Sequence, residues 1–226
     1  MIRLRNVTKT YNKNFNALNR INLHICKDEF VFLVGPTGAG KTTLLKLVMR
    51  DELPDSGSVY IDKINTHDFN ENQVAKLRKN IGVIFQDFKI LYRTVYENLA
   101  FVLKIQGEKK KVVREKIESV ISLVGLESKL HCYPHQLSGG EQQKACLARA
   151  IINKPTILLA DEPTGNLDPD SSWELMQILK KINQAETTIV VATHDKTVVD
   201  LMRKRVVALH AGNIIRDEQL GSYHES

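Results

Sequence analysis

The feature that most constrains this chain is the stretch Gly-Pro-Thr-Gly-Ala-Gly-Lys-Thr-Thr at residues 35–43. It matches the pattern G-x-x-x-x-G-K-[S/T] at every fixed position. An apolar, β-branched run at residues 30–34 precedes it, and a helix-forming run at residues 42–49 follows it. This context predicts a strand, a phosphate-binding loop and a helix, in that order. A glycine-rich turn without a ligand is the alternative interpretation.

The loop predicts a site for a nucleoside triphosphate. Its glycines let the backbone take positive φ and approach phosphate oxygens, while the following helix presents its positive end to them. Lys41 is expected to reach the β- and γ-phosphates, and the Thr42 hydroxyl is expected to bind Mg²⁺. The residues expected around ATP in this loop are Gly35, Pro36, Thr37, Gly38, Ala39, Gly40, Lys41, Thr42 and Thr43.

Composition narrows the class of protein without deciding its function. The chain has 226 residues, of which 42% are hydrophobic and 26% charged, as in ordinary globular proteins. Its apolar runs are far shorter than the roughly 20 residues that cross a bilayer, and no signal peptide is recognisable. The cysteines, Cys26, Cys132 and Cys146, have no metal-binding spacing and are interpreted as reduced thiols. The net charge of +6 is compatible with nucleic acid, an anionic membrane or a merely basic surface.

The N-terminal part predicts two antiparallel strands, at residues 2–8 and 17–25, joined by a turn that contains Asn12, Asn14 and Asn16. Tyr11 follows the first of these strands. Its ring could stack on a purine base or fill the core at a strand end, and the sequence leaves both open. Further on we expect a turn at 54–57, a strand at 59–61 and a helix at 73–79.

Three predicted buried strands, at residues 81–85, 156–160 and 187–192, each end in polar residues. The first is followed by Gln86, the second by Asp161 and Glu162, and the third leads to His194. The carboxyl ends of parallel strands form the ligand-binding edge of an open α/β sheet. We therefore expect Asp161 to hold Mg²⁺, usually through water, and Glu162 to activate the attacking water. His194 is either catalytic or structural.

Residues 87–153 have a helical pattern and are inserted between strands of one sheet. Thr94 with Glu97, and Ser138 with Glu141, have the form of capping boxes, and Gly125 is a plausible C-cap. Ser138 and its neighbours are either a plain helix cap or an anion-binding helix N-terminus. Beyond this segment we expect helices at 170–184 and 197–204, strands at 206–210 and 213–216, and a loosely held end at 218–226.

Four stretches in fixed order resemble the nucleotide-binding subunits of ATP-binding cassette (ABC) systems: residues 35–42, Gln86, Leu-Ser-Gly-Gly-Glu at 137–141 and residues 157–162. The resemblance covers the whole chain. It implies a single α/β P-loop NTPase domain over residues 1–226. Residues 1–86 and 154–226 would form a mostly parallel core sheet with an antiparallel β subdomain, and residues 87–153 an inserted helical subdomain.

The resemblance also implies roles for individual residues. Tyr11 matches the aromatic residue that stacks on adenine, Gln86 the glutamine that senses Mg²⁺, and His194 the histidine that contacts the γ-phosphate. Asp168 matches the loop that touches the opposite subunit. The active form would be a head-to-tail homodimer with two ATP molecules between the copies. The signature residues that would act on the ATP of the other copy are Ser138, Gly139, Gly140 and Glu141.

Within the ABC family, residues 86–88, 94–98, 141–143 and 202–206 resemble the FtsE group of cell-division ATPases. The resemblance implies that this chain lies peripherally at the cytoplasmic face of the cell membrane and that its partner is an integral membrane protein of the FtsX kind. It also implies control of peptidoglycan hydrolysis outside the cell. The segment between Gln86 and Thr94 is a residue shorter than is usual in that group. Its apolar residues Phe88, Ile90, Leu91 and Tyr92 would either dock the partner or fill the helical core.

Two other functions remain open from the sequence. One is the ATPase subunit of a lipoprotein or peptide exporter of the same group. The other is a soluble ABC protein that acts on nucleic acid or ribosomes, which the net charge of +6 suggests. Such proteins usually carry two cassettes or a long coiled-coil insertion, and this chain shows one cassette and no heptad run. No nucleic acid is therefore expected as a partner.

Overall fold

A computed structural model describes residues 1–11 and 15–223 of the chain. The strands are β1 (Ile2–Tyr11), β2 (Phe15–Ile25), β3 (Phe30–Val34), β4 (Ser56–Ile61), β5 (Ile64–Asn65), β6 (Ile81–Ile84), β7 (Ile157–Asp161), β8 (Thr188–Ala192), β9 (Arg205–His210) and β10 (Asn213–Glu218). The α-helices are α1 (Lys41–Val48), α2 (Glu71–Lys79), α3 (Val95–Ile105), α4 (Lys110–Val124), α5 (Gly139–Ile151), α6 (Pro169–Gln184) and α7 (Lys196–Met202).

The larger sheet has six strands in the order β10-β9-β3-β8-β7-β6. All neighbours from β9 to β6 pair in parallel, and only β10 is antiparallel to its neighbour. Strands β3 and β8 are buried at every position, as expected for strands covered on both faces by other layers. The prediction of a mostly parallel core sheet is confirmed. The carboxyl ends of β3, β6, β7 and β8 lie at one edge, and this edge carries the candidate site.

The smaller sheet has four antiparallel strands in the order β2-β1-β4-β5. The predicted pairing of the two N-terminal strands is confirmed, and both strands are longer than predicted. Asn12 and Asn14 lie outside the described residues, and Asn16 is part of β2, opposite Thr10, rather than part of a turn. Strand β4 begins at Ser56, within the predicted turn, because residues of this segment pair with β1. Strand β5 was not predicted.

The predicted helix signals of the inserted segment are confirmed. Thr94 with Glu97 and Ser138 with Glu141 form complete capping boxes at the starts of α3 and α5. Gly125 ends α4 in the left-handed conformation with φ 69°. The predicted strand at 81–85 is one residue shorter, because its pairing with β7 ends at Ile84.

Two apolar clusters cover the two faces of the larger sheet. One lies between this sheet and the helices α3 to α7. The other lies between the larger sheet, the smaller sheet and α1, which fixes α1 and the loop before it against both sheets. Burial of this extent stabilises by roughly 25 cal/mol per Å² of apolar surface. The phosphate-binding loop is therefore held in place by the well-packed apolar cluster beneath it.

The prediction of a loosely held end is wrong for residues 218–223. Gly221 is buried and its N–H donates to the Lys204 carbonyl at 3.1 Å. The Tyr223 N–H donates to Asp200 Oδ1 at 2.6 Å, and the Tyr223 ring packs against the larger core cluster. Residues 218–223 are mostly polar, yet Gly221 and Tyr223 make contacts with distant parts of the chain. Residues 224–226 lie outside the described residues.

Across residues 1–11 and 15–223, we find no helix that combines the length and the apolar character needed to span a bilayer.

Candidate functional site

The loop between β3 and α1 has the backbone geometry that its sequence predicts. Gly35, Gly38 and Gly40 have φ values of 141°, 81° and 107°. A Cβ atom on Gly40 would lie 2.3 Å from the Ala17 carbonyl oxygen, so glycine is required there on steric grounds as well as for its φ. The loop thus takes a conformation in which backbone amides can face an anion.

Lys41 lies at the first position of α1 and is 7% exposed. Its Nζ donates to the carbonyls of Gly35 at 2.7 Å and Pro36 at 3.3 Å, and lies 3.6 Å from Glu162 Oε1. A buried ammonium group held by carbonyls and one carboxylate is a strong partner for an incoming anion.

A cleft of about 230 Å³ lies over this loop. It brings together most of the residues that the sequence assigned to the site, although they are far apart in the chain. Gln86, Glu162 and His194 line its wall, each just beyond the end of a parallel strand. The remaining lining residues are Ala17, Thr37, Gly38, Ala39, Gly40, Lys41, Thr42 and Thr43.

Thr42 lines the cleft and contacts Asp161, which does not itself line it. Thr42 Oγ1 donates to Asp161 Oδ2 at 2.8 Å, and Asp161 Oδ1 is buried with no hydrogen-bond partner among residues 1–11 and 15–223. Burial raises the pKa of Asp161 above its ordinary value. An orphaned carboxylate oxygen next to a hydroxyl fits a hard cation such as Mg²⁺, which takes oxygen ligands. Among the described residues, no cluster of three His, Cys, Asp or Glu side chains could hold a metal.

Glu162 and His194 form a contact pair across the ends of β7 and β8. Glu162 has a left-handed backbone with φ 48° and donates its N–H to the Ala192 carbonyl at 2.8 Å. Its Oε2 accepts the His194 N–H at 3.2 Å and lies 2.9 Å from His194 Nδ1. The His194 side chain is 64% exposed, so one edge of its ring faces solvent. The pair presents one fixed carboxylate and one accessible imidazole to the cleft.

Tyr11 is the last residue of β1 and does not line this cleft. Its hydroxyl donates to Glu52 Oε2 at 2.5 Å and also contacts the side chain of Thr43 in the first turn of α1. Burial and the Glu52 carboxylate raise the pKa of Tyr11. Lys9 Nζ lies 5.6 Å from the ring centroid. The ring is half-buried, and among the described residues it belongs to neither apolar cluster.

The signature residues lie at the start of α5. Ser138 Oγ accepts the Glu141 N–H at 3.2 Å, and Glu141 Oε2 accepts the Ser138 N–H at 2.8 Å. The Ser138 N–H that the carboxylate accepts lowers the pKa of Glu141. Ser138 and Gly139 are exposed, and none of residues 138–141 lines the cleft of its own chain.

Asp168 is exposed and is the N-cap of α6. Its Oδ1 accepts the Ser171 N–H at 2.9 Å. Hydrogen bonds from the Ser171 side chain and from this N–H lower the pKa of Asp168. The structure thus shows a capping role within the chain, and Asp168 does not line the cleft.

Two residues at or beside the site were not found from the sequence: Ala17, which lines the cleft, and Glu52. Glu52 holds both the Tyr11 hydroxyl and Lys46, whose Nζ lies 3.2 Å from Glu52 Oε1. Glu52 lies in the loop after α1, where a carboxylate is an ordinary surface residue. Only the folded chain shows its contact with the end of β1.

Comparisons with known proteins agree with this geometry. A sequence profile described as ABC transporter matches residues 18–165. The chain is 47% identical over 224 residues to the cell division ATP-binding protein FtsE of Bacillus subtilis, with 99% of this chain and 98% of that protein covered. It is also 47% identical over 225 residues to the protein of the same name from Mycobacterium tuberculosis, covering 99% and 98%.

A solved structure shows the same fold. It is described as a dimeric post-hydrolysis state of an ATP-binding cassette bound to ADP and Pi, and it matches with a TM-score of 0.88 and 37% identity. The match covers 99% of this chain and all of that chain. Sequence profile, relatives and fold therefore agree that the chain belongs to the ABC transporter family, as an ABC-type ATPase.

Proposed function

We propose that this chain hydrolyses ATP with Mg²⁺ in the cleft above the phosphate-binding loop, between two copies of the chain. The observation that carries this proposal is the convergence of Lys41, the Thr42–Asp161 pair and the Glu162–His194 pair on one cleft. These groups supply phosphate binding, metal binding and a base, which phosphoryl transfer to water requires.

Each residue has a distinct task in this mechanism. Lys41 and the loop amides bind the β- and γ-phosphates, and Lys41 exchanges its carbonyl partners for phosphate oxygens. Thr42 and Asp161, with Gln86 nearby, would hold Mg²⁺, which when bound neutralises charge on the phosphates. Glu162 accepts a proton from the attacking water. His194 holds the Glu162 carboxylate in place and directs its exposed ring edge toward the γ-phosphate.

The second copy is needed because the signature residues cannot serve their own site. Ser138 begins an exposed helix N-terminus, a favourable place for an anion, yet it lies outside the cleft of its own chain. A head-to-tail homodimer would place Ser138, Gly139, Gly140 and Glu141 of one copy over the ATP of the other. Asp168 and the loop before α6 would then lie at the dimer interface. ATP stabilises such a dimer through contacts that ADP lacks.

We further propose a role in cell division. Both relatives reported above bear the name of cell division ATP-binding protein FtsE and match this chain over almost its full length. The chain would work at the cytoplasmic face of the membrane, where it drives an FtsX-like integral membrane protein that controls septal peptidoglycan hydrolysis. The alternative is the ATPase subunit of a lipoprotein- or peptide-exporting transporter of the same group.

A groove beside Gln86 is the proposed docking site of the membrane partner. It has a volume of about 770 Å³ and lies between α2, β6, α3 and α5. Its apolar lining includes Phe85 and Ile105, and Ile105 is 70% exposed. The lining also carries more basic than acidic side chains, namely Arg78, Lys79 and Arg149 against Asp51. We therefore expect a short partner segment with apolar and acidic residues.

The segment after Gln86 is divided between the two predicted roles. Ile90 packs against the core cluster, whereas Leu91 and Tyr92 are exposed, Tyr92 by 77%. Arg149 Nη1 on α5 donates to the Lys89 carbonyl at 2.7 Å, which fixes the segment next to the groove. Leu91 and Tyr92 can thus extend the docking surface, while Ile90 belongs to the core.

Co-purification from membranes tests the partner. The wild-type chain should retain an FtsX-like protein, and Ile105→Glu should lose it while the ATPase activity of the isolated chain stays unchanged. Leu201→Glu is the matched control, because Leu201 is also apolar and exposed but lies on α7. Recovery of a membrane protein of transporter architecture would support the alternative. Equal retention by Ile105→Glu and wild type would overturn the docking site.

A further inference from the structure

Gln143, a buried residue of helix α5, contacts the turn that carries Glu162. This residue is 1% exposed, and its Nε2 donates to the Pro163 carbonyl at 2.8 Å. Pro163 directly follows Glu162, whose φ of 48° lies in the left-handed region that residues with a Cβ rarely occupy. The hydrogen bond from Gln143 therefore holds the backbone of the residue that follows Glu162. The unfavourable φ of Glu162 persists only because surrounding contacts of this kind maintain it.

Only one end of the Gln143 side-chain amide is hydrogen-bonded. A carbonyl oxygen only accepts, so the amide must present Nε2 to Pro163. This leaves Gln143 Oε1 buried and, within the described residues, without a hydrogen-bond partner. An unsatisfied buried oxygen lowers stability, and a hydrocarbon side chain of the same shape would avoid that loss. Packing alone does not account for an amide at this position.

Other contacts hold the same turn from the opposite side. The Glu162 N–H bonds to the Ala192 carbonyl at 2.8 Å, and Thr164 Oγ1 donates to Asp195 Oδ2 at 3.3 Å. Both partners lie at the end of β8 or just beyond it. Gln143 is the contact from the helical side, and it lies only about one and a half helical turns from Ser138, too short a span for an α-helix to bend appreciably.

We infer that Gln143 is a positioning residue for Glu162, which ties the signature helix to the base of the same chain. This inference rests on the proposed function. In the dimer, Ser138 at one end of α5 contacts the ATP of the other copy, while Gln143 holds the base at the ATP of its own copy. A displacement of α5 at one site is thereby transmitted to the carboxylate of the second site.

The test is Gln143→Met, which keeps length, volume and helix propensity but removes the amide. We expect kcat for ATP hydrolysis to fall by about 10- to 100-fold, since small misplacements of reacting groups have effects of this size. The affinity for ATP should stay unchanged. The ATP-dependent dimer should persist longer than that of the wild type, because the nucleotide is bound but turned over slowly. Gln143→Leu serves if the Met variant does not fold.

The control is Asn183→Leu on α6. Asn183 Nδ2 also donates to backbone carbonyls, those of Asp28 at 2.9 Å and Thr187 at 3.0 Å, but away from the cleft. This variant should melt at a lower temperature with kcat unchanged. A kcat of Gln143→Met equal to wild type would overturn the inference. The inference would also be overturned if Gln143→Met lost both its affinity for ATP and its ability to dimerise, or if neither Gln143 variant folded. Each of these outcomes would mean that Gln143 serves the stability of the fold.

The proposed function fails in a different way. If wild type and Glu162→Gln both bind ATP without dimerising, the shared site between two copies is wrong, whatever Gln143 does. If wild type and Glu162→Gln both dimerise with ATP, the shared site stands. If the Gln143 variants then hydrolyse ATP with the kcat of wild type, the positioning role is wrong.

Discussion

Glu162 and His194 are joined through two atoms of the histidine. Glu162 Oε2 lies 3.2 Å from the His194 backbone nitrogen and 2.9 Å from its Nδ1. The backbone contact fixes the carboxylate whatever the state of the ring, and the ring contact leaves the opposite edge of the imidazole free to face the cleft. In the proposed mechanism, His194 therefore orients the base and also presents its free ring edge to the substrate.

His194→Ala should slow the chemical step while ATP binding is largely retained. The backbone contact to Glu162 survives the substitution, but the ring contact and the free ring edge that faces the cleft are lost, so kcat should fall by about tenfold or more. Single-turnover hydrolysis and equilibrium binding of ATP measure the two effects separately. His67→Ala, which removes an exposed histidine from a short helix beside the smaller sheet, should behave like wild type. A His194→Ala variant with unchanged single-turnover rate would return His194 to a structural role.

Asp161→Asn should not lower the stability of the nucleotide-free protein, but it should reduce the additional stabilisation that Mg²⁺ and ATP provide. Burial raises the pKa of Asp161, so the folded state holds this proton more tightly than the unfolded state does. The resulting stabilisation of the folded state is complete at pH values below the pKa that Asp161 has in the unfolded chain. It is lost as the pH rises through the pKa that Asp161 has in the folded protein. At neutral pH the carboxylate therefore weakens the empty protein, and Asn removes that penalty.

Thermal melting at neutral pH checks this prediction. The empty Asp161→Asn variant should melt at or above the wild-type temperature, whereas the increase on addition of Mg²⁺ and ATP should be smaller than in wild type. Asp62→Asn, at an exposed turn with φ 49°, is the control and should change neither quantity. A less stable empty Asp161→Asn variant that retains the full Mg²⁺-ATP increase would contradict the metal role.

Tyr11→Ala should lower ATP affinity modestly, by roughly fivefold, because stacking of an aromatic ring contributes on the order of 1 kcal/mol. Tyr11→Phe keeps the ring but loses the bond to Glu52, so it should retain most of the affinity. Calorimetric titration with ATP and with tripolyphosphate, which has no base, separates the two contributions. Equal loss for both ligands, or equal loss in both variants, would show that Tyr11 does not act by stacking.

The local parts of the structure were predictable because their causes are local. Strand β3 has the predicted bounds, since its apolar run is bounded by polar residues and the loop glycines. The capping boxes at Thr94 and Ser138 also form as predicted, because each depends on side chains three residues apart. The convergence of Gln86, Glu162 and His194 followed from the general property that parallel strands end at one edge.

The parts that were missed depend on contacts between distant residues. Nothing near Glu52 indicates that it accepts a bond from Tyr11, 41 residues away. Tyr223 was assigned to a loose end because its neighbours are polar, yet it packs on the core. Gln143 offered a signal that was not used, namely an amide on the buried face of an amphipathic helix. A polar residue on such a face needs a partner, and that partner is visible only in the fold.

The most direct measurement of the central claim is the mass of the Glu162→Gln variant in solution, with Mg²⁺ and ATP, by sedimentation or light scattering. Without the base, ATP should bind and remain intact, so the variant should convert from monomer to a long-lived dimer that ADP does not support. Lys41→Ala should stay monomeric under the same conditions because it cannot hold the phosphates. A Glu162→Gln variant that binds ATP as a monomer, or hydrolyses it at the wild-type rate, would contradict the account.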